Sequence, residues 1–245
     1  MDALAAFVIG LLASIVGAIA TGGGLISIPG LIFLGASPVT AIATTRLNLM
    51  TAGISATLRY QKDGVVLWKY IPKFLVLGLV AGVLGPKLLL GLDQDTIQTL
   101  IGVMLIIMLP LLWIKKDLGT MNVKRSDERK LFGFIVMALV LFYTTVFGGG
   151  GGIFMTYTLV YFFGMTVTEA IATGLVIAMF ATLVALITFA SSYAVDWSLG
   201  IPLSLGGVIG GYIGANIALE KGVAWVKLIL TLVIVVSSIK LLFFS

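Results

Sequence analysis

The chain contains no cysteine and no histidine, and only 10% of its 245 residues are charged. Without cysteine it can form neither disulfides nor thiolate metal sites, and without histidine it lacks the usual metal ligand and proton shuttle. A soluble domain normally carries about a quarter charged residues. Hydrophobic residues make up 60% of this chain, and the mean hydropathy is +1.20. The composition predicts a polytopic membrane protein, and we expect no metal and no cofactor.

The positive charges lie in short loops between apolar segments, which accounts for a net charge of +5 without nucleic acid as a partner. Lysine and arginine in such loops act as topology signals. No lysine or arginine precedes Arg46, so the apolar N-terminus lacks the basic start of a cleaved signal peptide. We expect it to belong to the mature fold of a multi-pass protein of the cell membrane.

Two runs of glycine interrupt long uncharged stretches of the chain. Gly22–Gly24 lies in the stretch 3–45, and Gly148–Gly152 lies in the stretch 131–168. A glycine run in hydrocarbon frees backbone groups, which are tolerated only when they are buried in protein or line a polar cavity. Broken segments at matching places in two halves point to the binding site of a transporter.

A shift of 129 residues aligns the two halves of the chain. Ala41–Thr44 falls on Ala170–Thr173, and Trp68 falls on Trp197. Three glycines recur in the same register, namely Gly78, Gly82 and Gly85 in the first half and Gly207, Gly211 and Gly214 in the second. Small residues at this spacing form smooth surfaces for close helix packing. We infer an internal duplication, in which the glycine runs align after a single gap.

The apolar segments predict an all-α membrane protein built from two homologous repeats. The first repeat covers 1–114, the second covers 131–245, and a basic cytoplasmic linker, 115–130, joins them. Each repeat has five segments, of which the second is too short to span a bilayer at about 1.5 Å per residue. The segments are 3–21, 25–34, 38–58, 70–91 and 96–114 in the first repeat, and 131–148, 153–163, 167–191, 198–219 and 224–244 in the second.

Capping residues predict where two of the helices begin. Ser37 stands before Pro38, which is the pattern of an N-cap followed by proline at the first helical position. Thr166 is followed three residues later by Glu169, which is the pattern of a capping box. We therefore expect a structural role for the carboxylate of Glu169.

Loop charges predict that the two repeats are inverted with respect to each other. The loop after the third segment is basic in the first repeat, whereas its counterpart carries only Asp196. The next loop of the second repeat carries Lys221 and Lys227 instead. An inverted repeat needs an odd number of crossings, so each glycine-broken pair would be re-entrant beside three spanning helices. The alternative is one broken crossing helix per repeat, which gives eight spans and a parallel repeat.

The helices that start after the glycine runs, near Leu25 and Ile153, predict an anion site. Helix N-termini carry about half a positive charge, and broken helices of transporters use them to bind anions. If the halves face each other, both N-termini converge on one cavity. The predicted substrate-binding glycines are Gly22, Gly23, Gly24, Gly150, Gly151 and Gly152. The alternative is that the glycines only allow helices to cross closely.

Arg46 is the strongest single candidate for substrate binding. It lies about 13 Å into its segment, near the middle of the hydrocarbon layer, where a charged residue is functional by default. No acidic residue shares its segment, and its repeat counterpart is Leu175. An oxyanion would be a suitable partner, because a guanidinium binds it in bidentate fashion. The alternative is that Arg46 caps carbonyls freed by the glycine break or extends towards a surface.

The residues around Arg46 add hydrogen-bond donors to the predicted site. Thr44, Thr45 and Asn48 are of suitable size, and Thr173 repeats Thr44. Membrane threonines often bond only their own helix, so each alone is weak evidence. Without cysteine, histidine or clustered carboxylates the chain offers little to an enzyme, and it shows no dedicated proton pathway.

The glycine motifs resemble those of the TauE/SafE sulfite exporter family of membrane permeases. Thr21-Gly22-Gly23-Gly24-x4-Pro29, followed by Gly35 and Ala41-x-Ala43-Thr44, is similar to its first-repeat signature. Gly148–Gly152, followed by Gly164 and Ala170-x-Ala172-Thr173, is similar to the second. The resemblance covers essentially the whole chain. It departs from the family in two features, a first run of only three glycines and Tyr157 near the place that Pro29 takes in the first repeat.

The resemblance implies a permease for sulfite or for organosulfonates such as sulfoacetate and sulfolactate. It carries substrate contacts to the glycine runs, Thr44 and Thr173, but not to Arg46, which rests on burial. We therefore predict a secondary transporter that moves a small sulfur-containing oxyanion across the bilayer by alternating access. A passive anion channel and a transporter of other small organic anions are the alternatives. The exact anion, the direction of transport, a coupling ion and a homo-oligomer are left open.

Overall fold

A computed structural model describes residues 2–113 and 126–221, without the side chains of 107–113 and 221. These residues form nine α-helices and a short 3₁₀ turn, Trp68–Tyr70. The helices are α1 (Asp2–Ala20), α2 (Gly24–Phe33), α3 (Pro38–Lys62), α4 (Ile71–Leu90), α5 (Gln94–Trp113), α6 (Asp127–Phe147), α7 (Gly151–Phe163), α8 (Val167–Ser191) and α9 (Trp197–Lys221). Among them α1, α4 with the turn before it, α6, α8 and α9 are long and apolar enough to cross a membrane. The described part is all-helical, and the protein is a multi-pass membrane protein.

Nine of the ten predicted apolar segments correspond to these helices, and the tenth, 224–244, lies outside the described residues. The boundaries agree within a few residues, with one difference at the linker. α6 begins at Asp127, because the side chain of Ser126 accepts a hydrogen bond from the N–H of Arg129. Residues 126–130 of the predicted linker therefore form the N-cap and the first turn of a helix.

Both predicted helix starts are confirmed. The hydroxyl of Ser37 accepts a hydrogen bond from the N–H of Thr40 at 3.3 Å, so that α3 begins at the following proline. At the start of α8, the N–H of Thr166 donates to the carboxylate of Glu169 at 2.8 Å, and the N–H of Glu169 donates back to the hydroxyl of Thr166 at 3.3 Å. Glu169 thus has the structural role expected of a capping box.

The chain reverses direction at the first glycine run, which forms the tip of a helical hairpin. α2 returns along α1: a Cβ on Gly30 would come within 2.9 Å of the side chain of Ile9, and one on Gly23 would lie 3.2 Å from the Cα of Gly17. Residues near the end of α2 thus contact residues nearer the start of α1. The two helices are therefore antiparallel, and we refer to them as the first hairpin.

The second glycine run forms the tip of a second hairpin, made by α6 and α7. The rings of Phe132 and Phe162 lie 5.7 Å apart near its open end, and those of Tyr143 and Phe154 lie 5.3 Å apart near its tip. α7 thus returns along α6. Each glycine-broken pair therefore has the form of an antiparallel helical hairpin, and neither is one straight helix with a break.

Left-handed backbone conformations allow these reversals. Gly148 and Gly150 have φ of +74° and +75°, and the N–H of Gly148 closes α6 by donating to the carbonyl of Thr144 at 2.9 Å. Thr21 takes the corresponding place after α1, with φ of +56° and its N–H donating to the carbonyl of Gly17 at 2.8 Å. Glycine adopts this conformation freely, whereas a β-branched residue there is a genuine outlier.

The fourth helix of each half packs against the first and third helices of the other half. α9 lies beside α1 and α3, and it runs parallel to α3, because Thr51 donates to the carbonyl of Ser204 and Arg59 donates to the side chain of Asn216. Glycines of α9 face the backbone of α1 directly. This close contact buries the first hairpin against the second half of the chain.

α4 takes the equivalent place beside α6 and α8. It runs parallel to α6, because the ring of Phe74 lies 4.9 Å from that of Phe134 and the hydroxyl of Thr145 donates to the carbonyl of Ala81 at 2.8 Å. The second hairpin is thus held by a helix of the first half. Both hairpin tips are positioned by contacts between the halves.

Two glycines of α4 give a matched pair of substitutions. A Cβ on Gly82 would lie 2.7 Å from the carbonyl oxygen of Ala181, whereas a Cβ on Gly78 would meet the Cβ of the same residue at an ordinary 3.4 Å. We expect Gly82→Ala to lower the free energy of unfolding by about 1–3 kcal/mol, as overpacking does, and Gly78→Ala to be nearly neutral. Thermal unfolding in detergent measures both. Equal effects would contradict the close approach of α4 and α8.

Candidate functional site

The two hairpin tips contact each other. A Cβ on Gly24 would collide with the carbonyl oxygen of Gly148, and a Cβ on Gly152 would lie 2.6 Å from the Cβ of Thr21. The hydroxyl oxygens of Thr21 and Thr156 are 3.4 Å apart across this junction. Side chains at the glycine positions would keep the two backbones apart. The glycine runs therefore bring the starts of α2 and α7 to one place.

A cavity of about 70 Å³ lies beside this junction. Small residues of α1, α2, α3, α6, α7 and α8 line it, and no described charged side chain does. Its polar side chains are the hydroxyls of Ser14, Thr21, Thr144 and Thr182. Sequence reasoning that searched for charge missed Ser14, Thr144 and Thr182. Their only signal in the sequence is a hydroxyl among the apolar and small residues of a helix.

Both helix N-termini predicted to bind an anion border this cavity. Gly23 and Gly24 at the start of α2 line it, as does Gly152 in the first turn of α7. The N–H groups of Leu25 and Ile153 are the first to bond within each turn, at 3.0 and 2.9 Å. The amides before them are the groups that helix N-termini offer to anions. The other predicted glycines, Gly22, Gly150 and Gly151, belong to the same tips but lie outside the described lining.

Arg46 is fully buried and binds the end of α6. Its Nη1 donates to the carbonyl of Thr144 at 2.8 Å, and its Nη2 donates to the carbonyls of Thr145 and Val146 at 2.7 and 3.4 Å. The geometry is that of the alternative left open by the sequence, in which Arg46 caps carbonyls freed by the glycine break. Its Nε has no partner among the described residues.

The guanidinium of Arg46 lies behind the cavity wall. A Cβ on Gly148 would be 3.3 Å from its Cζ, and Gly148 lines the cavity, whereas Arg46 is absent from the described lining. A helix C-terminus carries about half a negative charge. Arg46 therefore neutralises the end of α6 and places a positive charge one residue away from the cavity.

The first hairpin has a neutral cap at the equivalent place. The hydroxyl of Tyr60 donates to the carbonyl of Ala18 at 2.8 Å, near the end of α1. Leu175, the repeat counterpart of Arg46, lines the cavity with an apolar side chain. Only one of the two described tips therefore carries a charged cap.

Thr44 and Thr173 interlock the two halves and do not line the described cavity. The hydroxyl of Thr44 accepts the N–H of Asp196 at 2.9 Å, and the hydroxyl of Thr173 accepts the N–H of Leu67 at 3.0 Å. The start of α3 thus meets the loop after α8, and the start of α8 meets the loop after α3, so the two helices are antiparallel. The side chain of Asp196 starts α9, and its hydrogen bonds from Ser198 lower the pKa of its carboxyl.

Thr45 and Asn48 are fully buried beside Arg46 on α3. The side-chain oxygen of Asn48 accepts a hydrogen bond at 3.2 Å from the hydroxyl of Ser14, which lines the cavity. The hydroxyl of Thr45 and the amide nitrogen of Asn48 have no partner among the described residues. Asn48 therefore positions a cavity hydroxyl and lies outside the described lining itself.

An all-helical membrane bundle with two broken helix pairs around a small cavity is typical of secondary transporters. The model of the family Sulfite exporter TauE/SafE matches residues 4–241, nearly the whole chain. The chain belongs to this TauE/SafE family, which confirms the resemblance of its glycine motifs.

Curated relatives of the chain are described as membrane transporters. A probable membrane transporter protein of Haemophilus influenzae is 28% identical, over 88% of this chain and 85% of its own length. The probable membrane transporter protein ORF9 of a Sinorhizobium species is 28% identical, over 96% and 90% of the two chains. The protein YfcA of Escherichia coli K12, with the same description, is 27% identical over 98% and 89%. No solved structure was found to match the chain.

Two buried threonines of α3 differ in whether the hydroxyl group has a hydrogen-bond partner among the described residues. Thr44→Val removes the acceptor of the Asp196 N–H, and we expect a loss of about 1–3 kcal/mol in the free energy of unfolding. Thr57 is also buried on α3, but its hydroxyl has no partner among the described residues, so Thr57→Val should be neutral or stabilising. Denaturation in detergent, followed by circular dichroism, compares the two. A harmless Thr44→Val would show that this bond does not hold the halves together.

Proposed function

We propose that this membrane transporter is a secondary transporter of small sulfur-containing oxyanions, such as sulfite or an organosulfonate, and that the cavity at the hairpin tips binds the anion. One observation carries the proposal: two helix N-termini border a single small cavity whose described lining contains no carboxylate. The description of the family supports the substrate class. The names of the relatives specify no substrate.

The charges around the cavity favour an anion. Each helix N-terminus carries about half a positive charge, so that the starts of α2 and α7 together supply about one. The ends of α1 and α6 oppose an anion, each with about half a negative charge, but Arg46 carries a full positive charge and binds the end of α6 through three carbonyls. In this proposal the N–H groups near Gly23, Gly24 and Gly152 contact the substrate. Arg46 acts through its field and holds the tip in place.

The cavity volume suits a small ligand. One buried water needs about 10–15 Å³, so a cavity of about 70 Å³ holds roughly five waters. A sulfur atom with three oxygens has about this size, and little room remains for a carbon chain. An organosulfonate would need the lining helices to move apart slightly.

We also propose that the halves are inverted repeats that move by alternating access. The order α1 to α4 recurs as α6 to α9, and the fourth helix of each half packs against the first and third helices of the other. The antiparallel course of α3 and α8 supports an axis in the membrane plane. Rocking about the two tips would open the cavity to each side of the membrane in turn, as in other transporters with inverted repeats.

Binding of anions to the purified protein in nanodiscs tests the substrate class. We expect saturable binding of sulfite, with sulfoacetate, thiosulfate and sulfate as comparisons, measured by calorimetry. Gly24→Ala pushes a Cβ against the carbonyl of Gly148 and should weaken binding at least about tenfold, because a small misplacement of binding groups is costly. Gly78→Ala is the control, since Gly78 lies outside the described lining and a Cβ there would make only ordinary contacts. No saturable binding of any of the four anions would overturn the proposal.

Substitutions of Arg46 test whether its charge acts on the anion. Arg46→Lys keeps a positive charge but loses the fork that spans three carbonyls, so we expect moderately weaker anion binding and lower thermal stability. Arg46→Met keeps the side-chain length and removes the charge, so we expect at least about tenfold weaker binding. Both variants are compared at equal folded fraction by size-exclusion chromatography. Full anion affinity in Arg46→Met would limit Arg46 to a structural role.

A further inference from the structure

Two hydroxyl groups of the cavity lining offer lone pairs to a ligand. The hydroxyl of Ser14 donates its hydrogen to the side-chain oxygen of Asn48 at 3.2 Å. The hydroxyl of Thr144 donates its hydrogen to the carbonyl of Val140 at 2.7 Å. A hydroxyl has one hydrogen and two lone pairs, so both oxygens are left as acceptors. Ser14 and Thr144 belong to different hairpins, and both line the cavity.

The other two described hydroxyls of the lining add little donor capacity. The hydroxyl of Thr21 donates to the carbonyl of Ala20 at 2.8 Å or shares a hydrogen bond of 3.4 Å with the hydroxyl of Thr156, so its single hydrogen stays at the tips. The hydroxyl of Thr182 has no hydrogen-bond partner among the described residues, so it can donate or accept. Of the four described hydroxyls, only that of Thr182 therefore keeps a hydrogen for a ligand.

The N–H groups at the helix starts lie next to these acceptors. A Cβ on Gly151, in the first turn of α7, would collide with the hydroxyl of Thr144. A Cβ on Gly23, at the start of α2, would lie 2.7 Å from the carbonyl oxygen of Ala13, which directly precedes Ser14. The cavity thus presents N–H donors and hydroxyl acceptors side by side. A fully ionised oxyanion can pair only with the donors, because all of its oxygens are acceptors.

We propose that the cavity binds its anion in a protonated form, a monoanion with one O–H group, so that the ligand is hydrogensulfite and not the dianion sulfite. This inference rests on the proposed function and specifies the form of its substrate. The unprotonated oxygens accept hydrogen bonds from the N–H groups at the starts of α2 and α7. The O–H group donates to the hydroxyl oxygen of Ser14 or Thr144, and thereby pairs an acceptor that no bare oxyanion can pair.

The charge around the cavity favours the same form. The four helix ends at the tips and the guanidinium of Arg46 together leave about one net positive charge there. No described charged side chain lines the cavity. A monoanion is therefore balanced, whereas sulfite would bring a second negative charge into a buried site without a partner for it. Burying an unpaired charge is costly.

The pH dependence of sulfite binding tests the protonated form. Hydrogensulfite loses its proton near neutral pH, so its share of the total sulfite falls as the pH rises. We expect the affinity for total sulfite, measured by calorimetry in nanodiscs, to be constant in mild acid and to fall by up to about tenfold per pH unit above neutrality.

The protein itself adds no titration of this kind at the described lining. The helices that line the cavity contribute no titratable side chain to it there, and the groups that cap the tips, Arg46, Tyr60 and Tyr143, belong to residue types that titrate above neutral pH. An affinity that rises with pH, or that does not change, would overturn the protonated form and leave oxyanion binding intact. Absence of sulfite binding at every pH would overturn the proposed function as well.

Methanesulfinate separates the O–H group from the charge. It has a methyl group in place of the hydroxyl of hydrogensulfite, and it stays a monoanion throughout the titration. We expect it to bind at least about tenfold more weakly than hydrogensulfite, because the acceptors of Ser14 and Thr144 remain unpaired. Its affinity should not depend on pH. Equal affinities for the two monoanions would overturn the proposed hydrogen bond.

Two variants remove the acceptors one at a time. Thr144→Val keeps the shape of the side chain, and Ser14→Ala removes the other hydroxyl. We expect at least one of them to lose most of the preference for hydrogensulfite over methanesulfinate, since the apolar ligand then leaves fewer lone pairs unpaired. Thr158→Val is the matched control. Its hydroxyl is also buried and donates to a carbonyl of its own helix, that of Phe154 at 2.8 Å, but it lies outside the described lining.

Thermal unfolding in detergent separates loss of the acceptor from loss of structure. Thr144→Val and Thr158→Val each remove one hydrogen bond within a helix, so we expect similar unfolding midpoints for the two variants. Thr158→Val should keep the full preference for hydrogensulfite. A preference that survives unchanged in both Thr144→Val and Ser14→Ala would contradict the site.

Discussion

Backbone groups freed by the glycine breaks must find partners inside the bundle, because hydrocarbon offers none. The freed carbonyl groups accept hydrogen bonds from side chains. Arg46 binds the end of α6, Tyr60 binds the end of α1, and the hydroxyl of Tyr143 donates to the carbonyl of Gly149 at 3.0 Å. The freed N–H groups at the starts of α2 and α7 face the cavity, where a ligand can accept their hydrogen bonds. The same constraint thus explains the buried arginine, the interlocked halves and the position of the candidate site.

The sequence predicts the hairpins because their cause is local. Glycine runs, capping residues and segment lengths each act within a few positions, and the helices follow them closely. The partner of Arg46 could not be predicted in this way. Its depth and the lack of a nearby acid show that it needs acceptors, but these carbonyls lie about 100 residues away in sequence. The partners of Thr44 and Thr173 could not be predicted either. Their hydroxyls accept hydrogen bonds from loops of the opposite half, and no local sequence pattern indicates such contacts.

The two hairpins are held by different kinds of contact, although the halves share a common order of helices. Around the second hairpin the rings of Tyr70, Phe74 and Phe134 each lie less than 6 Å from that of Phe163. Packed aromatic rings prefer particular relative orientations, so they fix the positions of the helices that carry them. The first hairpin instead meets α9 through glycines that face its backbone. Such a surface has few side chains to lock it, so the second hairpin is held by interlocked rings and the first by a smooth helix contact.

The charge at the tips shows why only one half carries a buried arginine. α3 supplies both caps, Arg46 for the second hairpin and Tyr60 for the first, while α8 contributes the apolar counterparts Leu175 and Phe189, whose ring lies 5.8 Å from the guanidinium. An arginine in place of Leu175 would add a second permanent charge at the cavity lining. A transport site must bind its ion firmly enough to admit it and weakly enough to release it. In the proposed function, one fixed charge behind the cavity wall, with neutral N–H donors in front of it, meets both demands.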